Sequence, residues 1–358
     1  MNKAISIIVP TYNEKDNIIP LVRRIDHFLS DHDYEIVFID DNSSDGTASL
    51  SESLSPEYPV KVIVRKNKRG LASAVVDGLE HTTGQIIGVM DADLQHPPEV
   101  IPDMLAQIQK GADLVIASRY VKGGALRNWR LTRRIISKGA IFLAHLLLPS
   151  TRQINDTSSG FFMFNRQIIA KANLRPSGYK ILLEIVIEGK YQNLVEVPYT
   201  IEARTSGQSK LSATQQIEYL KHIYGLMRRK GELLRFVKFC LVGLSGVLVN
   251  LGLLYLLVEW VGLFYLLSAA ISIESSIVSN FILNNFFTFS DRRLPGIRLF
   301  VNRLLKFNLV SLSTIAVNVG VLWLLTEVLG IYYLASEIGG IAVATVWNYL
   351  FNIGWTWK

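Results

Sequence analysis

Four long apolar segments occupy the last third of this 358-residue chain. They run over roughly 236–261, 264–289, 307–329 and 332–357, and each exceeds the roughly 20 residues that a helix needs to cross a bilayer. Because four such segments in succession leave no polar face for water, buried core helices are the weaker interpretation. The composition changes near Leu233, so the sequence predicts a first domain over 1–232 and a four-helix membrane domain over 233–358.

The membrane segments contain an internal duplication. The stretch that begins at Lys238 aligns without a gap with the stretch that begins at Lys306, and about twenty of about fifty positions are identical. Each copy contains two spans, so both copies start on the same side of the membrane, and we expect the repeat axis to lie along the membrane normal. Glu274 has no acidic counterpart, because its aligned residue is Ala342, and the sequence assigns it no role.

Charged residues between the spans predict the orientation of the membrane domain. The loops after the first and third spans contain Glu259 and Glu327 and no Lys or Arg, whereas four arginines lie between the second and third spans: Arg292, Arg293, Arg298 and Arg303. The positive-inside rule then makes the arginine-rich loop cytosolic. The first ten residues read as a strand rather than a signal peptide. We therefore expect a multi-pass membrane protein with the first domain and both termini in the cytosol.

Residues 1–232 alternate between short β-branched runs and amphipathic helical stretches. The runs lie at 5–10, 35–40, 60–64, 86–90 and 114–117. This spacing is typical of βαβ units and a mostly parallel sheet. Several runs are apolar throughout, as strands covered on both faces must be. The sequence therefore predicts an α/β domain with helices on both faces of its sheet.

An Asp-x-Asp pair, Asp91 and Asp93, follows the apolar run at 86–90. Ligands of α/β sheets bind outside the carboxyl ends of the strands, so both carboxylates should lie at that edge. Two such groups repel each other, and a divalent cation with oxygen ligands resolves the repulsion. Mg²⁺ and Mn²⁺ favour oxygen ligands and bridge phosphates. The pattern predicts a site for a metal and a diphosphate; an acidic pair in a solvated turn is the alternative.

Two other predicted strands end at the same edge in polar residues. The first is followed by Tyr12 and Glu14, and the second by Asp41. A carboxylate at this position can accept hydrogen bonds from ribose hydroxyls or base N–H groups. The stretch 43–47, with its Ser, Asp, Gly and Thr residues, also predicts a turn that leads into a helix.

Several motifs resemble known families. The segments VPTYNE, IDDNSSDGT, NKRGLASAVVDG and MDADLQHPPE resemble the inverting GT-A glycosyltransferases of family 2. The segments ASRYVKGG, DTSSGFFMFNR, SGYKILLEI and RTSGQSKLS resemble dolichyl-phosphate mannose synthases in particular. The duplicated membrane part is similar to GtrA-like four-helix domains, which occur fused to such enzymes in prokaryotes. The resemblance implies a GT-A (Rossmann-like) fold and a location in a prokaryotic plasma membrane.

The resemblance also implies roles for individual residues. Asp93 and Gln95 occupy the metal-ligand positions of the family's DxDxQ pattern, and Asp91, Asp93, Gln95 and Arg119 form the implied catalytic set. Arg119 sits where the phosphates of both substrates meet. The residues implied to bind the donor nucleotide sugar are Pro10, Tyr12, Glu14, Ile39, Asp41, Asp91, Ala92, Asp93, Gln95, Arg119, Lys180, Arg204 and Lys210.

The implied reaction is inverting transfer of mannose from GDP-mannose to dolichyl or polyprenyl phosphate, with Mg²⁺ or Mn²⁺ as cofactor. The product would be a β-linked lipid phosphate mannose, for use as a lipid-linked sugar donor in protein glycosylation and glycolipid synthesis. The implied partners are these two substrates and the lipid bilayer, and no nucleic acid. The acceptor phosphate is already an oxyanion at neutral pH, so catalysis would come from positioning and from stabilising the departing diphosphate.

The segment 127–149 combines basic residues, Trp129 and an apolar face. This pattern predicts a helix in the membrane interface, and we expect a second one around 212–230. We hypothesise that the first delivers the lipid phosphate, with Arg133 beside Arg119; a helix that only covers the sheet is the alternative. Asp156 could orient the sugar or cap a turn, and the sequence leaves both possibilities open.

Three other functions stay possible at this point. One is a processive polysaccharide synthase of the same fold, although the chain lacks a QxxRW-type motif. A second, from another class, is a lipid-linked sugar flippase with a regulatory nucleotide-sugar domain, which the intact DADLQ and SRY motifs disfavour. The third keeps the reaction but changes the donor to UDP-glucose.

Overall fold

The structure is a computed structural model that describes residues 4–67, 70–127, 129, 131–175, 180–201, 213–293 and 295–357. The chain divides into two compact units, Met1–Leu226 and Met227–Lys358. The boundary expected from composition, after residue 232, lies close to this division.

The first unit contains a seven-stranded sheet. All five predicted strands are present within one residue at each end. Four of them are almost entirely buried, as strands covered on both faces are, whereas the strand at 60–64, at the edge of the sheet, is only partly buried. The strands are β1 (Ile5–Thr11), β2 (Tyr34–Asp40), β3 (Val60–Val64), β4 (Ile86–Val89), β5 (Leu114–Ser118), β7 (Phe162–Asn165) and β8 (Leu194–Pro198). A separate parallel pair joins β6 (Ala125–Leu126) to β9 (Thr200–Ile201).

The order of the strands creates a switch point between β1 and β4. The order is β3-β2-β1-β4-β7-β5-β8. The next strand along the chain, β2, therefore pairs with one side of β1, and the later strand β4 pairs with its other side. These neighbours are parallel, whereas β7 runs antiparallel between β4 and β5. The predicted, mostly parallel sheet is therefore confirmed, with one antiparallel strand that the sequence did not reveal. A crevice at such a switch point is the usual ligand site of open α/β sheets.

Helices cover both faces of this sheet. Ile7 and Val9 of β1 pack with one group of helices, and Ile8 packs with the other, because successive side chains of a strand point to opposite faces. The helices are α1 (Lys15–Leu29), α2 (Thr47–Ser53), α3 (Leu71–His81), α4 (Ile101–Gln109), α5 (Leu131–Leu147), α6 (Ile181–Glu188) and α7 (Ala213–Arg229). The last residues of α7 extend into the second unit.

The second unit holds four helices that are long and apolar enough to cross a membrane, counted over the residues that the structure describes. They are α8 (Glu232–Tyr255), α9 (Tyr265–Leu283), α10 (Ile297–Trp323) and α11 (Tyr333–Phe351), and each continues into one turn of π-helix. The third helix begins ten residues earlier than its apolar stretch predicts, at Ile297. Arg298 and Arg303 therefore lie on its first turns rather than in a loop, because a helix can continue past the end of the apolar stretch.

The duplication is visible in the packing of aromatic rings. Phe289 and Trp357 occupy equivalent positions of the two copies, and they stack on each other with ring centroids 4.3 Å apart. Around them, the contact of Phe239 with Phe289 is repeated by that of Phe307 with Trp357. A residue meets its own counterpart only close to a twofold axis. The two helical hairpins are thus related by a pseudo-twofold axis that passes near the ends of the second and fourth helices.

Candidate active site

A cavity of about 470 Å³ opens at the carboxyl ends of β1, β2 and β4. It lies at the switch point, where the side chains after several strands converge. The predicted site residues that line it are Pro10, Tyr12, Glu14, Asp41, Asp91, Ala92, Asp93, Gln95, Arg119, Arg133 and Lys180.

Three predicted residues do not belong to this group. Ile39 is fully buried in the hydrophobic core, because it lies within β2 and its side chain faces α3, so its side chain is not among the described residues that line the cavity. Arg204 and Lys210 lie outside the described residues.

The loops at this edge contain backbone conformations that L-residues rarely adopt. Asn13, Asn42 and Leu94 have φ values of 54°, 57° and 59°, and each follows a strand that ends at the cavity. Asn tolerates this left-handed region, but a leucine there is strained. The left-handed conformation of Leu94 turns the chain between Asp93 and Gln95, and both of these residues line the cavity.

Buried hydrogen bonds fix the ends of β1 and β2 to each other. The Asp40 carboxylate is fully buried and accepts hydrogen bonds from the hydroxyls of Thr11 (3.0 Å) and Ser43 (2.6 Å). The expected turn over 43–47 is present, and α2 begins at Thr47. Asp40 therefore acts as a structural anchor, whereas its neighbour Asp41 faces the cavity.

Asp41 is already engaged within the protein. Its Oδ1 accepts a hydrogen bond from Arg65 Nη1 (2.8 Å), and its Oδ2 accepts one from the backbone N–H of Gly70 (2.8 Å). These bonds hold the turn that precedes α3 against the end of β2. Because each carboxylate oxygen has two lone pairs, the carboxylate keeps acceptor capacity for a ligand.

The acidic motif supplies hard oxygen ligands at one wall of the cavity. Asp91, Asp93 and Gln95 are half-buried or buried, and Asp93 Oδ1 accepts a hydrogen bond from the backbone N–H of Gln95 (3.1 Å). Among the described residues, no three His, Cys, Asp or Glu side chains cluster as a metal site. Two carboxylates and an amide oxygen suit Mg²⁺ or Mn²⁺, which complete their coordination with water or phosphate oxygens.

His96 supports Asp91 from behind. Its Nδ1 accepts a hydrogen bond from the backbone N–H of Asp91 (2.9 Å), so Nδ1 carries no proton in this arrangement. The ring is buried and stacks on Phe161 with centroids 5.4 Å apart. Gly160 fits closely beside them, because a Cβ there would lie 3.0 Å from His96 Cε1 and 3.2 Å from Asp91 Oδ2. These contacts give His96 a structural role behind Asp91.

Arg119, which lines the cavity, forms a buried ion pair with Asp156. Arg119 Nε and Nη2 donate to the two carboxylate oxygens of Asp156, each over 2.7 Å, and the backbone N–H of Arg119 adds a third bond of 3.1 Å. Burial alone would lower the pKa of Arg119, but these interactions with Asp156 raise it. Asp156 thus holds Arg119 charged and in place, which is neither of the two roles that the sequence left open.

Glu196 supports this pair in turn. Its carboxylate, on β8, accepts hydrogen bonds from the backbone N–H groups of Asn155 (2.8 Å) and Asp156 (3.0 Å). The loop that carries Asp156 is therefore fixed to the neighbouring strand. No residue pattern in the sequence connects Glu196 to Arg119; their relationship follows from the pairing of β5 with β8.

Trp129 joins the two arginines of the predicted acceptor site. The guanidinium carbons of Arg133 and Arg119 lie 3.8 Å and 5.5 Å from the centre of its ring. Trp129 is only 8% exposed and lines the cavity, although its segment was interpreted as part of an interfacial surface. The sequence did not single out Trp129 as a site residue.

Lys180 completes the cationic side of the cavity. Its Nζ donates a hydrogen bond to the backbone carbonyl of Ser158 (2.6 Å). Burial, reinforced by the positive charge of Arg119, lowers the pKa of Lys180 to about 8. This lysine is therefore charged at neutral pH and poised to lose its charge in mildly alkaline solution.

Comparison with known proteins agrees with this arrangement. Residues 6–172 match the family described as Glycosyl transferase family 2, and residues 238–357 match GtrA/DPMS, transmembrane domain. A dolichol-phosphate mannosyltransferase from Pyrococcus furiosus is 46% identical over 353 residues, which cover 99% of each chain.

This chain belongs to the dolichol-phosphate mannosyltransferase family.

Other members and distant folds extend the comparison. The dolichol-phosphate mannosyltransferase of Saccharomyces cerevisiae is 37% identical over 250 residues, which cover 65% of this chain and 92% of the yeast protein. Mannosyl-3-phosphoglycerate synthase from Rubrobacter xylanophilus superposes with a TM-score of 0.51 at 17% identity, over 64% of this chain and 75% of that one. The last similarity concerns the fold alone, and it agrees with the GT-A architecture.

Membership in the family confirms several expectations. The chain is a glycosyltransferase, as the motifs indicated, and its first unit has the expected fold. Four helices of sufficient length and the match to a transmembrane domain make it a multi-pass membrane protein.

Proposed function

We propose that this enzyme transfers mannose from GDP-mannose to dolichyl or polyprenyl phosphate, with inversion at the anomeric carbon. The relative from Pyrococcus furiosus, named for mannose transfer to dolichol phosphate, supports this proposal because its similarity extends over the whole chain. The observation that carries it is one cavity lined both by oxygen ligands and by cationic side chains. Such a cavity suits a reaction in which two phosphate-bearing substrates meet.

The donor would lie on the side of β1, β2 and β4. Tyr12, Glu14 and Asp41 line this part and would hold the nucleoside. Asp93 and Gln95 would hold a divalent cation, Mg²⁺ or Mn²⁺, which when bound supplies positive charge to the diphosphate. A solved complex of glucosyl-3-phosphoglycerate synthase from Mycobacterium tuberculosis, with a TM-score of 0.50 at 18% identity over 63% of this chain and 80% of that one, contains Mn²⁺ and UDP-glucose. That enzyme shares only the fold.

The acceptor would reach the cavity along α5 and α7. These helices are joined by a hydrogen bond from the Tyr219 hydroxyl to the Ala140 carbonyl (2.7 Å). Ile136 of α5 and Gln216 of α7 line the cavity mouth. Large apolar side chains on both helices are exposed: Leu131, Ile135, Phe142, Ile217, Leu220 and Tyr224. An exposed apolar face beside a phosphate site suits a lipid whose chain stays in the membrane interface.

The chemistry requires a nucleophile, a positioned electrophile and a stabilised leaving group. The phosphate of the acceptor has a second pKa of about 6, so it is an oxyanion at pH 7 and needs no general base. One of its oxygens forms the bond to the anomeric carbon while the bond from that carbon to the β-phosphate oxygen of GDP breaks. Arg119 and Arg133 would orient the attacking phosphate, and Lys180 would add positive charge near the departing diphosphate. One displacement converts the α-linkage of GDP-mannose into a β-linked product.

We also propose that the catalytic unit and both termini lie in the cytosol. The arginines between the second and third membrane helices support this orientation, since positive residues favour the cytosolic side. Reporter fusions at Lys358 test it: a cytosolic reporter should be active and an exported one inactive.

The function is tested by incubating the full-length protein in detergent with Mn²⁺, a polyprenyl phosphate and either GDP-mannose or UDP-glucose. We expect mannose transfer only, with a β-linked product by NMR. Faster transfer from UDP-glucose would reject the donor assignment. An α-linked mannose product would reject the single displacement, and transfer to a growing glycan rather than to the lipid phosphate would indicate a polysaccharide synthase.

A further inference from the structure

The indole N–H of Trp129 is a buried donor that has no acceptor among the described residues. Trp129 is 8% exposed, its Nε1 makes no hydrogen bond there, and its ring lines the cavity. Leaving a buried donor without a partner destabilises the folded protein. Buried donors without partners in native proteins call for an explanation, and a ligand that supplies the missing acceptor is one.

The surroundings of the ring indicate which ligand this is. The guanidinium carbons of Arg133 and Arg119 both lie within cation–π range of the indole, at 3.8 Å and 5.5 Å. Arg119 uses Nε and Nη2 for Asp156, so Nη1 is left for a ligand. Two guanidinium groups and one indole N–H are all hydrogen-bond donors, and such a combination suits an anion with several oxygens.

We propose that Trp129 Nε1 donates a hydrogen bond to a non-bridging oxygen of the acceptor's phosphate, between the contacts made by Arg119 and Arg133. The inference rests on the proposed function and names a further positioning residue for it. A neutral donor orients the phosphate without adding a further positive charge, which would reduce the nucleophilicity of the attacking oxygen. Trp129 would thereby distinguish a prenyl phosphate from the corresponding alcohol.

The position of Trp129 favours a hydrogen bond to the acceptor's phosphate over one to the sugar of the donor. It directly precedes α5, the helix with the exposed apolar face, and it contacts Arg133 of that helix. Asp91, Gly160 and Lys180 also line the cavity but belong to other segments, since Asp91 follows β4 whereas Gly160 and Lys180 precede β7 and α6. A bond from the indole to a sugar hydroxyl is the competing assignment, and the kinetic measurement below separates the two.

The test compares the full-length protein with Trp129→Phe and with benzothienylalanine placed at position 129. The second replacement keeps the shape of the ring and removes only the N–H. Trp260→Phe, a change at a 78% exposed position of the membrane unit, is the matched control. Calorimetric titration in detergent would measure the affinity for farnesyl phosphate and for farnesol, and steady-state assays would give the KM for each substrate. Thermal unfolding checks that each variant folds.

We expect both changes at Trp129 to weaken farnesyl phosphate binding by about tenfold or more, because a hydrogen bond to a charged group is lost. Farnesol binding, the KM for the nucleotide sugar and the control should be unchanged. Unchanged farnesyl phosphate affinity in the folded benzothienylalanine variant would overturn the inference, as would a change confined to the KM for the nucleotide sugar. If the protein binds farnesyl phosphate through Trp129 but transfers no mannose, the proposed function fails and the inference stands.

Discussion

Asp156 holds the guanidinium of Arg119 through two hydrogen bonds of 2.7 Å, and both side chains are buried. A buried charge is tolerated only when it is paired and its geometry is fixed. The pair therefore fixes the guanidinium through its Nε–Nη2 edge and leaves Nη1 for a ligand.

Replacing Asp156 by Asn should leave a buried arginine without its counter-charge. Breaking one side of a buried ion pair costs about 3–5 kcal/mol, so we expect a clear fall in Tm together with a loss of turnover. Thermal unfolding and steady-state assays measure both effects. Asp103→Asn, at an exposed position of α4, is the matched control and should change neither. A stable, fully active Asp156→Asn enzyme would show that Arg119 needs no partner.

The pKa of Lys180 predicts how donor binding depends on pH. Since burial lowers this pKa to about 8, the lysine is charged below pH 8 and neutral above it. If its charge attracts the diphosphate, kcat/KM for the nucleotide sugar should fall about tenfold per pH unit above that value. An arginine keeps its charge throughout this range, so Lys180→Arg should move the decline to higher pH. A decline at the same pH in this variant would assign the titration to another group.

Removing the metal or one of its ligands should weaken the interaction of the enzyme with the donor diphosphate first. We expect chelation by EDTA to abolish turnover, and Asp93→Asn to raise the Mn²⁺ concentration needed for half-maximal activity by at least about tenfold. Titrating Mn²⁺ into the chelated enzymes at saturating lipid acceptor gives this value. Asp103→Asn again serves as control. Turnover that persists in the chelated wild-type enzyme would rule out the proposed metal.

The exposed face of α5 should matter only for acceptors that are held in a membrane. Phe142 is 65% exposed, and burying a phenylalanine side chain in lipid contributes about 1.5–3 kcal/mol. Phe142→Glu should therefore raise the KM for a long-chain polyprenyl phosphate in vesicles by about tenfold or more. The KM for water-soluble farnesyl phosphate should not change, and Phe142→Leu should behave as wild type. An equal effect on both acceptors would point to a change in the cavity instead.

Much of the fold could be predicted because local patterns decide it. The apolar runs that became β1, β2, β4 and β5 are buried on both faces, β3 at the edge of the sheet is only partly buried, and the membrane helices follow from their length. The antiparallel β7 could not be found in this way, since FMFN is as apolar as a parallel strand and its direction depends on its neighbours. Likewise, the start of α10 at Ile297 depends on helix continuation, which the apolar stretch alone does not record.

The residues of the candidate site likewise comprise some that local patterns predict and some that they do not. Residues next to a strand end, such as Tyr12 and Asp93, were predicted because the edge of a parallel sheet brings such positions together. The role of Ile39 stays a prediction, and its side chain, one residue before that edge, faces the core. The roles of Asp156 and Trp129 depend on contacts between segments far apart in the sequence, and no local pattern contains that information.

The stacking of Phe289 on Trp357 bears on how the membrane unit arose. Since each ring meets its own counterpart and the surrounding contacts occur twice, a single two-helix hairpin could have formed the same arrangement with a second copy of itself. Joining the copies in one polypeptide removed the requirement that both halves stay identical. The carboxylate of Glu274 accepts a hydrogen bond from Asn308 (3.0 Å), whereas the other half has alanine at position 342, a difference that two identical hairpins would not show.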